Sequence, residues 1–346
     1  MDTDMVISQL PSPAHYKREF PVSEKAREVI RASRNGIQDI LDGRDDRLII
    51  IVGPCSIHDS QGSGLEYARR LADLLPPFSD RLLVVMRTFL EKPRTTIGWE
   101  GLVSDPRLTG DFDIATGIAQ ARKFLLSVLE LGVPTATEFT NPMSMYFLED
   151  LLCWVAVGAR STEAAVYRNT ASGLTMPVGF KNGTGGSVQI AVDGIVAANN
   201  PHALFGVSEE EGRVCQIRTK GNRSCHLVLR GSLTNGPNYE EKAVAAALEL
   251  LKKARLAPRL MIDCSHGNSE KDPQRQTEVC RNVVAQRLAG NKGIMGFMVE
   301  SNLFPGNQKL GDDPTLLQYG VSITDACIGW EETAALLREA HDLLLK

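Results

Sequence analysis

Four residues far apart in the chain have the right chemistry to hold one metal ion between them: Cys55, His266, Glu300 and Asp325. A thiolate, an imidazole and two carboxylates suit a single first-row divalent ion such as Mn, Fe, Co or Zn. Singly, each has a plain explanation, since a free cysteine is often only a small buried residue. A second set is cationic and comprises Arg87, Lys92, Arg94, Arg160, Lys181 and Arg230. Arginine offers a planar fork matched to phosphate and carboxylate. Six cations exceed the needs of one phosphate, so two anionic ligands are expected. Glu138 adds a carboxylate that could handle a proton. The chain as a whole is acidic, with 38 Lys and Arg against 42 Asp and Glu. Its cations therefore read as a local site for small anions rather than a nucleic-acid face.

Eight short apolar runs could bring these residues together: 48–53, 82–88, 135–139, 155–160, 177–182, 226–231, 259–266 and 294–301. Several are apolar throughout instead of alternating, as in parallel strands buried on both faces. Helical spacing recurs between them. Leu65, Ala68, Leu71, Ala72 and Leu75 share one face, as do Ile114, Ile118, Ala121, Leu125 and Leu129. Asn141-Pro142 reads as the cap of a helix over 146–154, and further helices are expected at 239–255, 273–288 and 333–345. Strand and helix alternating eight times predicts an α/β fold, the (β/α)8 TIM barrel. Catalytic groups of such barrels sit at the C-terminal strand ends, and each candidate above falls at such an end or in the adjoining loop. Residues 1–47 read as an N-terminal extension with a helix over 23–41, and 48–346 as the catalytic barrel. Residues 201–223 interrupt the repeat with a small extra β element at 214–219.

Other classes are excluded or disfavoured. With 346 residues, 43% hydrophobic and 23% charged, the composition is that of a globular protein. No apolar run is long enough for a membrane span, and residues 1–13 lack a signal-peptide core. Seven irregularly spaced cysteines with no CxxC pair fit a reducing cytoplasm. The run GFKNGTGG (179–186) lacks Walker spacing, and no GxGxxG opens a helix, so nucleotide binding is not expected. His58 either lines the site or caps the next helix.

The motifs GPCSIHD (53–59), EKPRTT (91–96) with Gly98-Trp99, Gly158-Ala159-Arg160, GFKNGT (179–184), the segment 229–231, DCSHGN (263–268) and SITDACIGW (322–330) occur in one order. From about Tyr16 to the C-terminus they resemble the type I 3-deoxy-D-arabino-heptulosonate 7-phosphate (DAHP) synthases. The related 3-deoxy-octulosonate 8-phosphate synthases differ at 92–95. The resemblance implies condensation of phosphoenolpyruvate with erythrose 4-phosphate, the first step of the shikimate pathway to aromatic amino acids. It implies Cys55, His266, Glu300 and Asp325 as metal ligands. It implies phosphoenolpyruvate contacts from Arg87, Lys92, Ala159, Arg160, Lys181 and Arg230. Erythrose 4-phosphate would be held by Lys92, Pro93, Arg94, Thr95 and Asp325, with Lys92, Glu138 and Lys181 as catalytic residues. A homodimer or homotetramer is implied as well.

The chain departs from that pattern at Ser161–Tyr167, where relatives end in a histidine, and at Gly185 and Ser232. These departures motivate a rival reading in which another aldose phosphate is the substrate. Two further rivals are a Schiff-base aldolase using Lys181 or Lys92 and a non-catalytic sugar-phosphate sensor. Cys327, two residues past Asp325, is expected near Cys55, where oxidation could link the two thiols. Relatives bind an inhibitory aromatic amino acid between the N-terminus and segments matching 142–146, 174–175 and 205–215. Here Met1 stands closer to Gly53 than in familiar members, and the run VSEEEGR (207–213) places three acids there. Weak or absent inhibition is therefore expected, unless Asp2 or Asp4 restores the missing contact.

Overall fold

The computed structural model describes residues 7–345; Met1, Asp2 and Asp4 lie outside the described residues. Two helices, α1 (Pro13–Glu19) and α2 (Glu24–Asp42), precede the first strand. The chain then runs β1 (Leu48–Gly53), α3 (Ser63–Leu74), β2 (Leu82–Arg87), α4 (Ile114–Glu130), β3 (Thr135–Phe139) and α5 (Met145–Leu148). It continues with β4 (Trp154–Val157), α6 (Ala165–Ala171), β5 (Val178–Lys181), α7 (Gln189–Ala198) and the pair β6 (Ala203–Val207) and β7 (Val214–Arg218). The last elements are β8 (Cys225–Leu229), α8 (Glu241–Lys253), β9 (Leu260–Asp263), α9 (Arg275–Leu288), β10 (Ile294–Glu300) and α10 (Trp330–Leu344). Eight strands close a parallel barrel in the order β1-β10-β9-β8-β5-β4-β3-β2. The eight runs read from the sequence are these strands.

The helix of the N-terminal extension is part of the barrel's packing. Ser23 caps α2 by accepting the Ala26 N–H, and Gly43 ends it in the left-handed conformation at φ 78°. Its Ile37, Ile40 and Leu41 share one core with the inward side chains Ile49, Ile51, Val85, Ala136, Trp154, Val228 and Met261. Burial of Ile37 and Ile40 alone contributes about 3–6 kcal/mol, so α2 seals one end of the barrel. The outer layer of strand and helix side chains forms a second, larger core.

Three expectations need correction. The helix expected over 146–154 stops at Leu148 and gives one 3-10 turn, Glu149–Leu151, before β4. The Arg34 guanidinium of α2 donates to the carbonyls of Glu149 (2.7 Å) and Leu152 (2.9 Å), the acceptors a longer helix would have used. Trp154 is instead a fully buried strand residue whose Nε1 donates to His226 Nε2 at 3.1 Å. The fourth strand ends at Val157 rather than at Arg160, because the chain turns at Gly158, whose carbonyl accepts from Ser161 (3.0 Å) and Thr162 (2.9 Å). A Cβ at Gly158 would lie 2.2 Å from Glu138 Oε1, so only glycine leaves that carboxylate its place. Last, the insertion holds two antiparallel strands, β6 and β7, and not one.

Helix α1 was not foreseen, although Ser12-Pro13 is an ordinary helix start. It docks on the β6–β7 turn. Ala14 N–H donates to the Glu209 carbonyl (2.9 Å), while Lys17 pairs with Glu209 (3.0 Å) and Arg18 with Glu210 (2.9 Å). Two of the three acids expected to repel an amino acid carboxylate are thus already neutralised.

Candidate active site

Strand register places the ligand candidates. Gly53 pairs with Glu300 across β1 and β10, so Cys55, two residues further on, emerges beside that carboxylate. The loop after β10 returns to the same place. Asn302 N–H donates to the Ile328 carbonyl (2.9 Å) and Ile328 N–H to the Glu300 carbonyl (3.1 Å). Ser56 and Thr324 share a hydroxyl hydrogen bond of 2.8 Å, tying the Cys55 loop to the Asp325 loop. As a result one ligand atom each from Cys55, Glu300 and Asp325 lies within 4.8 Å of the others.

His266 stands outside that triangle, on the wall of the cavity it shares with Asp325. Its Nδ1 is engaged by Ser265 Oγ (2.6 Å) and Asp263 Oδ2 (3.1 Å), leaving Nε2 for a ligand. A carboxylate orienting the far nitrogen is the usual support of a metal-binding imidazole. The donor set fits a divalent ion. Burial, with Glu300 adding to it, pushes the Cys55 thiol up to about 11 against the pull of Lys92. A thiolate here therefore needs a strong cationic partner. Cys327 lies beside Cys55 as expected, the Cys55 main chain hydrogen-bonding to its buried thiol, and its Sγ meets the Asp325 carbonyl at 3.6 Å; a second thiol pair, Cys264 and Cys280, is in contact at 3.4 Å.

Next to the ligand triangle lies a cavity of about 270 Å³. Its wall carries Lys92, Pro93, Arg94, Thr95, Glu138, Ala159, Arg160, Lys181, Arg230, His266 and Asp325. Most of the residues singled out from the sequence therefore meet in one place. Arg87 does not reach the wall. It is fully buried, with Nη2 3.0 Å from Glu300 Oε1 and its guanidinium carbon 3.8 Å from the Phe89 ring centroid. Its Nη1 is buried with no partner, a costly state unless a ligand completes it.

The buried cations are held by acids from other strands. Lys181 Nζ lies 2.9 Å from Asp263 Oδ2, and Lys92 Nζ lies 3.1 Å from Cys55 Sγ. Burial alone would lower the Lys92 pKa, but Cys55, Glu300, Glu138 and Asp325 outweigh it and raise it. Lys92 is thus a fixed ammonium. For Glu138, burial pushes upward, but Lys181, Lys92, His266 and Arg87 together hold the carboxyl below its ordinary value. It is ionised at neutral pH.

Sequence reasoning missed several contributors. Gln276 of α9 clamps the Glu300 main chain, donating to its carbonyl (3.0 Å) and accepting its N–H (2.8 Å). Thr184 and Lys271 line the cavity. Thr184 belongs to a motif already noticed, whereas Lys271 had no signal beyond sharing a loop with His266. The departures lie off the wall. Tyr167 hydroxyl donates to the Thr140 carbonyl at 2.6 Å and its ring packs edge-on against Phe139. Gly185 faces open space, and Ser232 Oγ accepts from the Thr234 N–H at 3.1 Å.

Known proteins are similar to this chain over nearly its whole length. The Tyr-sensitive phospho-2-dehydro-3-deoxyheptonate aldolase of Escherichia coli is 48% identical over 332 residues, covering 96% of this chain and 92% of that one. The tyrosine-inhibited enzyme of Schizosaccharomyces pombe is 46% identical over 342 residues, 97% and 91% of the two chains. The solved structure of phospho-2-dehydro-3-deoxyheptonate aldolase from Francisella tularensis superposes with a TM-score of 0.95 at 38% identity, covering 99% of both chains. The sequence profile of the DAHP synthetase I family matches residues 19–338, and the chain belongs to that family.

Proposed function

We propose that this protein condenses phosphoenolpyruvate with erythrose 4-phosphate and water to give DAHP and phosphate. The observation that carries the reading is the junction of the Cys55–Glu300–Asp325 triangle with a cavity walled by Arg94, Arg160, Lys181 and Arg230. A divalent ion held by Cys55, His266, Glu300 and Asp325 would supply Lewis-acid polarisation of the aldehyde. Its identity among Mn, Fe, Co and Zn is left to experiment.

The chain's own residues do the positioning. Arg160, Arg230, Lys181 and the Ala159 N–H hold phosphoenolpyruvate, with Arg87 completing the contact from below through its free Nη1. Arg94 and Thr95 hold the aldose phosphate, and Arg160 Nη2 donates to Thr95 Oγ1 at 2.8 Å, joining the two subsites. Holding two mutually repelling anions in reacting geometry lowers the barrier by as much as about 7–11 kcal/mol in favourable cases. Carbon 3 of phosphoenolpyruvate attacks the aldehyde carbon, and positive charge develops at carbon 2. Water adds there and loses one proton to Glu138, which passes it to the former aldehyde oxygen, now a hydroxyl; the bond between carbon 2 and the phosphate oxygen then breaks, the second water proton leaving with the phosphate as the carbon 2 carbonyl forms. Lys92 and Lys181 offset negative charge throughout. A homodimer or homotetramer is the assembly proposed from the family.

A Schiff-base aldolase is disfavoured, because it needs a neutral amine and the acids around Lys92 keep it charged. Tyr167 and Gly185 do not line the cavity, which favours the four-carbon aldose over a different sugar phosphate. The test is to incubate the protein with phosphoenolpyruvate and a panel of aldose phosphates, following phosphate release. Erythrose 4-phosphate should be preferred, prolonged chelation should abolish turnover, and Mn or Co should restore it. Full activity after chelation, or in His266→Ala, would refute the reading.

A further inference from the structure

Lys271 is the one cation of the cavity wall that no motif accounts for. The loop after β9 that carries it has three non-glycine residues with left-handed backbone: His266 at φ 58°, Glu270 at 53° and Lys271 at 65°. Side chains rarely adopt this conformation, and each instance costs on the order of 1–3 kcal/mol unless its surroundings enforce it. The surroundings do so here. Lys271 N–H donates to the His266 carbonyl at 2.8 Å, and Gly267 N–H to the Arg230 carbonyl at 3.0 Å. Glu270 is ion-paired with Arg275. A lysine kept in a strained conformation on the wall of a cavity points to a use for its side chain.

Its surroundings indicate which use. Lys271, His266 and Asp325 are the residues common to the substrate cavity and to a second chamber of about 260 Å³ that reaches Glu300. Lys271 therefore belongs to the part of the cavity bounded by the metal-ligand candidates, where the aldehyde must lie. Burial pushes the Asp325 carboxyl upward, and Lys92, His266 and Lys271 outweigh it and hold it below its ordinary value, which places the Lys271 charge beside that carboxylate. No carboxylate lies within 4 Å of its ammonium among the described residues, so it is free to donate. An ammonium is a compact donor of three N–H groups, suited to carbonyl and hydroxyl oxygens, whereas the planar arginines suit phosphate and carboxylate.

We propose that Lys271 is a further substrate-binding residue, donating from its ammonium to the oxygens at the carbonyl end of the aldose phosphate and not to phosphoenolpyruvate. The proposal rests on the condensation reading above. The aldehyde oxygen gains negative charge as the carbon–carbon bond forms, so this hydrogen bond strengthens toward the transition state. Removing it should lower kcat as well as raise KM for the aldose.

The strain supplies a discriminating variant. Asparagine adopts left-handed backbone more readily than lysine, so Lys271→Asn removes the cation while relaxing the loop. The expected result is a Tm equal to or above that of the parent, with kcat/KM for erythrose 4-phosphate lower by about tenfold or more. Phosphoenolpyruvate titrated calorimetrically into the Mn-loaded protein should bind as before. Lys271→Gly, which also tolerates the backbone, should behave alike. An unchanged kcat/KM for the aldose, or an equal loss of phosphoenolpyruvate affinity, would overturn the proposal. Failure of the parent protein to consume phosphoenolpyruvate with any aldose phosphate would sink the condensation reading instead.

Discussion

Arg87→Met tests whether the buried ion pair behind the site has the role its geometry implies. Arg87 Nη2 and Glu300 Oε1 are 3.0 Å apart, with side chains 0% and 3% exposed, so water screens neither charge. Methionine keeps the apolar stem against Phe89 but leaves the Glu300 carboxylate buried without its partner. Breaking one side of such a pair costs about 3–5 kcal/mol. At roughly 2 °C per kcal/mol for a chain of this size, Tm should fall by about 6–10 °C in chelated protein. The deficit should shrink in Mn-loaded protein, because a bound divalent ion stabilises the same carboxylate. Removing both charges in Arg87→Met/Glu300→Gln should leave the chelated protein more stable than Arg87→Met alone, since no buried charge is then orphaned. Urea titration of chelated and Mn-loaded samples measures each step. A loss under about 1 kcal/mol for Arg87→Met, or a double variant no better than the single, would refute the reasoning.

Arg230→Ala should raise KM for phosphoenolpyruvate roughly tenfold to a hundredfold, as loss of a charged hydrogen bond of about 1.5–3 kcal/mol requires, with a much smaller effect on KM for the aldose; steady-state kinetics with each substrate varied in turn checks this. Burial pushes the Glu91 carboxyl from 4.5 up to about 7, although it accepts from Ser144 Oγ at 2.7 Å. The folded protein then holds a proton the unfolded chain has lost, so stability should fall by roughly 3 kcal/mol as pH rises from about 4.5 to about 7. Glu91→Gln should flatten that part of the urea-midpoint profile, and an unchanged slope would contradict it. Phe, Tyr and Trp at millimolar concentration should inhibit weakly or not at all. The Tyr146 hydroxyl and Ile217 pack closely over Gly206, where a Cβ would lie 2.4 Å and 2.1 Å from them; strong inhibition by any one of the three in a saturating-substrate assay would refute the prediction.

The barrel was legible because its strands are apolar on both faces and each carries a polar group at its C-terminal end or within three residues of it, a pattern few other folds produce. That Cys55, Glu300 and Asp325 meet, and that most of the cations line one cavity, was legible for the same reason, since the C-terminal strand ends converge whatever the intervening loops do. What escaped depended on tertiary partners. Nothing local marks residues 149–152 as leaving a helix, because the cause is Arg34, over a hundred positions away. Arg160 read as a strand residue because Gly158 is needed only once Glu138 stands opposite. Arg87 read as a wall residue because its position at a strand end does not say whether an acid from β10 will meet it. Lys271 carries no periodic or motif signal, and only its backbone angle and its place between two cavities single it out.

The cations at the barrel mouth divide into two groups by partner rather than by residue type. Arg87, Lys181 and Lys92 each meet an acidic or thiol group from another segment, namely Glu300, Asp263 and Cys55. Arg94, Arg160, Arg230 and Lys271 line the cavity with no carboxylate within ion-pairing distance among the described residues. Phosphoenolpyruvate and an aldose phosphate together bring roughly four to five negative charges. The four unpaired cations are available to receive them without first giving up an internal ion pair. The paired ones are fixed by the fold before either substrate arrives, so their field is set in advance, as electrostatic preorganisation requires. Substitution of a paired cation should therefore cost stability first and activity as a consequence. Substitution of an unpaired one should leave the fold intact and weaken binding of one substrate in particular. Arg87 and Arg230 represent the two groups, and their opposite expected behaviour in denaturation and kinetics tests the division directly.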